Sequence, residues 1–108
     1  MQRWDLLELD APAGTRDPIV LHTDDDARAV LIVLTPGQSL GDHQVRENAW
    51  VIVLEGTVQF SSGEGPPVEA PQGTLTRFEP GERHSLTSSD GARVLMVLAP
   101  WPGEGHFP

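Results

Sequence analysis

Apolar residues fall in short runs along the chain, each closed by glycine, proline or acidic residues. No window of about 12 residues combines freedom from Gly and Pro with apolar positions at helical spacing, so the pattern predicts short strands and no long helix. The predicted strands are Leu6–Leu9, Ile19–His22, Ala29–Thr35, Gly41–Val45, Trp50–Leu54, Thr57–Ser61, Val68–Ala70, Thr74–Phe78, His84–Thr87 and Arg93–Ala99. Thr57–Ser61 alternates, which turns Val58 and Phe60 inward and Thr57, Gln59 and Ser61 toward water. Glu55-Gly56 reads as a tight turn between two strands, with Gly56 free to take a positive φ. Two segments break the alternation. Val30–Leu34 and Trp50–Leu54 are apolar at both parities, whereas a strand with one wet face alternates. Their second face therefore needs a cover, either a second subunit or the terminal segments with Trp4 and Trp101.

Many short strands with Gly/Pro turns predict an all-β sandwich or barrel. The 108 residues fit one domain spanning 1–108. Seven arginines and no lysine stand against sixteen acidic residues, a net charge of −9. That balance excludes nucleic acid and anionic membrane surfaces as expected partners, because both reward a basic face. It tilts small-molecule partners toward neutral or cationic species. The absence of lysine and cysteine removes Schiff-base chemistry, thiolate nucleophiles, disulfides and cysteine metal sites. The longest apolar runs, six residues, are far below the ~20 needed to span a bilayer as a helix. With Asp5 in an N-terminus that has no long apolar core, no secretory signal is read, and a cytoplasmic location is expected.

Spacing becomes specific between residues 37 and 88. Gly37-x5-His43-x-Val45-x3-Ala49-x6-Gly56 resembles the first motif of the cupin superfamily, G-x5-H-x-H-x3,4-E-x6-G. Gly73-x5-Glu79-x-Gly81-x2-His84-x3-Ser88 resembles the second, G-x5-P-x-G-x2-H-x3-N. The resemblance covers about half the chain, with motif one at about 37–56 and motif two at about 73–88. It implies a cupin-type double-stranded β-helix, a jelly-roll-like barrel, and a homodimer paired through one sheet.

The resemblance also implies a place for chemistry. Metal-binding cupins use both histidines and the glutamate of motif one with the histidine of motif two. Here Val45 and Ala49 replace two of those ligands, leaving His43 and His84, and two imidazoles rarely hold a divalent ion alone. Glu47, in the turn after His43, is the candidate third ligand for one divalent transition metal. His106 in the tail is another, while parity aims Gln44 at the opposite face. Arg77 is read as a surface pair with Glu79 or Glu82, and Asp24-Asp-Asp26 as a solvated turn that lacks the glycine and distal glutamate of a calcium loop.

Three functions stay open at this point. The first is a binding protein whose barrel pocket, lined by His43, Val45, Ala49, Val51 and His84, takes a small, largely apolar or neutral molecule. The alternative is a metal-dependent enzyme, oxygenase or isomerase by family analogy, using His43 and His84. A third is metal-free acid–base catalysis of an isomerisation or lyase step by the same two histidines.

Overall fold

A computed structural model describes residues 1–10 and 18–104. Its elements are β1 (Ile19–Thr23), β2 (Arg28–Leu34), β3 (Ser39–His43), β4 (Asn48–Ser62), β5 (Val68–Pro71), β6 (Leu75–Phe78), β7 (His84–Thr87) and β8 (Ala92–Ala99). No helix is present among the described residues, and none is therefore long and apolar enough to cross a membrane. The expected all-β architecture is what the chain adopts.

The strands run in the order β1-β2-β8-β4-β7-β3, all antiparallel. The 15-residue β4 belongs to both halves of the barrel. Its first part pairs with β8 on one side and β6 on the other; its second part pairs with β7 and β5. The tight turn expected at Glu55-Gly56 is not formed. Residues 48–62 are one strand, bent where the register against β8 shifts between Val53 and Glu55. Gly56 does take a positive φ, +83°. A side chain there would collide with the carbonyl oxygen of Gly91, so β4 and the β7–β8 connection meet backbone to backbone. The predicted strand at Leu6–Leu9 is likewise a turn, in which the N–H groups of Glu8 and Leu9 both donate to the Asp5 carbonyl at 3.1 Å.

Alternation builds the core. Val30, Ile32 and Leu34 of β2, Ala49, Val51, Val53, Val58 and Phe60 of β4, and Val94, Met96 and Leu98 of β8 form one buried cluster. Each of these side chains larger than alanine contributes about 1.5–3 kcal/mol relative to exposure. Val58 and Phe60 point inward as expected, and Thr57, Gln59 and Ser61 are half-buried rather than fully wet.

The second, outer face receives a partial cover from the chain itself. The Arg93 guanidinium, on the outward side of β8, donates to the carbonyls of Leu6 and Leu9 at 2.9 and 2.7 Å. The N-terminal segment is thereby tied down, and the Trp4 ring lies 6.3 Å from that of His22. Outward-facing Leu31 is fully buried. Trp50 and Leu75, on neighbouring strands of the same face, remain 43% and 59% exposed. Trp101 covers something else: it packs against the inner cluster.

Candidate functional site at the barrel mouth

Antiparallel pairing of β3 with β7 sets His43 directly opposite His84. Their rings lie 4.2 Å apart, edge to face. His84 is buried at 1% exposure and stacks on Phe78, with centroids 4.2 Å apart and planes 10° from parallel. Its Nδ1 lies 3.0 Å from the Glu82 carbonyl oxygen. The half-buried His43 places Nδ1 2.7 Å from the Gly41 carbonyl oxygen. A carbonyl only accepts, so Nδ1 carries the proton in both rings. In the neutral rings Nε2 is then the lone-pair nitrogen, the state in which an imidazole accepts a hydrogen bond or a metal.

Glu47 does not join this pair. Glu47 is fully buried, and its Oε2 accepts the Gly103 N–H at 2.7 Å. A side chain at Gly103 would come within 2.6 Å of the Arg46 carbonyl oxygen, so the tail lies flat on the β3–β4 turn. Glu47 thus pegs the C-terminal segment. Among the described residues no three His, Cys, Asp or Glu side chains gather where a metal ion would sit. Val45 and Ala49 hold the motif positions where the family's other ligands stand. Among the described residues the donor set does not fit a metal centre built from protein ligands. His106 lies outside the described residues.

Glu82 steadies the motif-two turn. Its carboxylate accepts the Ser62 hydroxyl and the Glu79 N–H, the latter at 2.9 Å. These bonds, the Ser62 one foremost, hold its pKa below the ordinary 4.5. Arg77 donates to Asn48 Oδ1 at 2.8 Å, lies 3.5 Å from Glu79 and reaches over Trp50, so it is a surface side chain. Asp24 closes its own turn by accepting from the N–H groups of Asp26 and Ala27.

A cavity of about 400 Å³ opens between β1–β2–β8 and the end of β3. Its walls are Val30, Ile32, Met96 and Leu98 from the sheet and Leu40 and Val45 from the other side, with His43 at the rim. Of the pocket residues expected from sequence, His43 and Val45 line it. Ala49, Val51 and His84 do not; they are sealed in the core. Eight of the ten lining residues lie outside the expected set, and one of the eight is charged. Arg28, the first residue of β2, shares the inward parity of Val30 and Ile32 and borders the cavity. Its guanidinium lies 4.7 Å from the centre of the Trp101 ring. Parity carried two residues back from Val30 would have found it.

Comparison with known proteins agrees with this fold. Residues 30–98 match a family model described as the cupin domain. Among solved structures, the chain is similar to a conserved protein with a double-stranded β-helix domain from Klebsiella pneumoniae (22% identity, 100% of this chain, 96% of that one, TM-score 0.82). It is similar to an RmlC-like cupin protein from Desulfovibrio desulfuricans (23% identity, 93% and 97% covered, TM-score 0.84). A protein from Thermus thermophilus is also similar (26% identity, 93% and 98% covered, TM-score 0.80). No curated protein matches the sequence.

Proposed function

Starting from the fact that this chain belongs to the cupin domain family, we propose that it binds a small, largely apolar molecule in the cavity between β2, β8 and the end of β3. The observation that carries this reading is the cavity itself. Its volume of about 400 Å³ is in the range of small-molecule sites, and apolar walls with two polar side chains, Arg28 and His43, are the make-up such sites share. A metal-dependent oxygenase or isomerase reaction lacks a third ligand among the described residues. His43 keeps a role in binding, because its Nδ1 proton is committed to Gly41 and its Nε2 is left to accept from a bound hydroxyl or amide.

The working form is a homodimer. Trp50 and Leu75 are exposed beside the half-buried Ile52 on one outer sheet face, and a second copy laid on that face removes them from water. Trp50→Glu should convert the dimer to monomer in sedimentation at micromolar concentration.

Binding is tested by titrating hexanol into the ¹⁵N-labelled protein. Amide shifts centred on Val30, Ile32, Val45 and Met96 are expected. They should vanish in Val45→Trp, which fills the cavity from its rim. Shifts elsewhere, or none, would reject the cavity as the site.

A further inference from the structure

We infer that the molecule held in this cavity is a monocarboxylate with a short apolar body, its carboxylate anchored on Arg28. The inference rests on the reading of the cavity as a ligand site and specifies what that ligand must carry.

Arg28 is a half-buried arginine at an apolar cavity without an acidic partner among the described residues. It lies on the inward side of β2, in line with Val30 and Ile32, and opposite Leu98 of β8. Carboxylates outnumber guanidiniums in this chain by sixteen to seven. Even so, no carboxylate among the described residues lies within ion-pair distance of Arg28, although Arg77 has Glu79. Arg93 spends its N–H groups on the carbonyls of Leu6 and Leu9. The Arg28 Nε–H is sealed from solvent and meets no acceptor among the described residues. The Nε edge is closed off by protein, whereas the two terminal NH2 groups are not sealed in this way, so they are the donors an anion in the cavity would meet.

The Arg28 guanidinium carbon lies over the Trp101 ring, 4.7 Å from its centre. That contact leaves the fork of terminal NH2 groups available, the geometry that matches a carboxylate in two parallel hydrogen bonds. Trp101 is itself fixed: its N–H donates to the Asp26 carbonyl at 3.1 Å, and two residues on, Gly103 is pegged by Glu47. Arg28 is thus held in place before any ligand arrives, which lowers the ordering cost of binding. The other polar side chain of the lining does not compete for the anion. His43 has its proton on Nδ1, committed to Gly41, so the neutral ring offers an acceptor and no donor. Everything between the two is apolar. An anionic head at Arg28 and a hydrocarbon body along Ile32 and Met96 match the charged and apolar parts of the lining. The charge of −9 opposes anions at long range, but a guanidinium stacked at an apolar wall acts at contact distance.

The experiment compares hexanoate with hexanamide, its uncharged isostere, by calorimetric titration of the intact protein at pH 7 in wild type, Arg28→Met and Arg28→Lys. Wild type should bind hexanoate about tenfold or more tightly than hexanamide, the scale of one charge-assisted pair. Arg28→Met should abolish that preference, read as the ratio of the two affinities within the variant; Arg28→Lys, which keeps charge without the fork, should retain part of it. Equal binding of the two probes to wild type would overturn the carboxylate inference while the cavity reading stands, and this comparison needs no variant. A preference that survives in Arg28→Met would remove Arg28 as the anchor. Failure of both probes to bind would overturn the cavity reading and this inference with it.

Discussion

The barrel mouth has two polar stations, and they differ in how far the protein has already committed them. At the histidine pair, both Nδ1 hydrogens go to backbone carbonyls and His84 is stacked on Phe78 in the core. At Arg28, the guanidinium lies over the Trp101 ring and the Nε–H has no protein acceptor among the described residues. The motif marks the first station, yet the cavity opens toward the second and includes only one of the two imidazoles. Motif positions preserve a scaffold more faithfully than they preserve a reaction. Where the ligand set has shrunk to His43 and His84, the chemistry to look for lies where an uncommitted charge meets an apolar space.

Glu47 holds the segment behind the second station and should show the largest effect. Glu47→Ala strips the Gly103 N–H of its buried acceptor and frees the tail that carries Trp101. A loss of about 2–4 kcal/mol in urea unfolding is expected, with weakened hexanoate binding in whatever remains folded. Unchanged stability would mean that the peg is unimportant and that Trp101 is held otherwise.

The histidines should separate next. His84→Ala removes a buried ring stacked on Phe78 and should cost about 1–3 kcal/mol, whereas half-buried His43→Ala should cost less than about 1 kcal/mol. Binding should follow the opposite order, because His43 lines the cavity and His84 does not. Equal effects of the two changes on hexanol affinity would erase the distinction drawn between them. Trp101→Ala falls between the two and should cost about 1–2 kcal/mol through the lost cation–π contact and packing. It should also reduce the preference for hexanoate over hexanamide.

Much of the fold is legible in the sequence because its signals are local. Gly37, Gly56, Gly73 and Gly81 sit at motif spacing, and each takes a positive φ. The apolar alternation of Thr57–Ser61 carries its own inward face. Gly56 misleads in one respect: a positive φ suits a turn and equally suits a bend within one long strand, and only contact with Gly91, 35 positions away, decides between them. The site is less legible for the same reason. Glu47 can be taken for a ligand because its partner, the Gly103 N–H, is 56 residues distant. Trp101 reads as cover for the outer face because nothing near it in sequence announces Arg28. Arg28 itself is lost to a boundary, since the predicted strand begins at Ala29, one residue too late.

The smallest effect concerns pH and lies on the histidine side alone. Glu82 has its folded pKa held below 4.5, first by the Ser62 hydroxyl and then by the Glu79 N–H. A depressed carboxylate pKa means the folded state favours the ionised form, so this stabilisation is complete above the unfolded value and fades as pH falls through the folded one. Ser62→Ala should flatten part of the stability loss below pH 4.5 in acid titration of urea midpoints, leaving stability near pH 7 only slightly reduced. Hexanoate affinity at pH 7 should not change. An altered affinity would couple the two stations more tightly than their geometry implies.

A crystal structure of the protein with hexanoate would decide where the anion sits. Density is expected in the cavity, with both carboxylate oxygens within hydrogen-bond distance of the Arg28 guanidinium and the alkyl chain against Ile32 and Met96. Hexanoate bound with its carboxylate at His43 and His84, or found only outside the barrel, would contradict the assignment of Arg28 as the anchor.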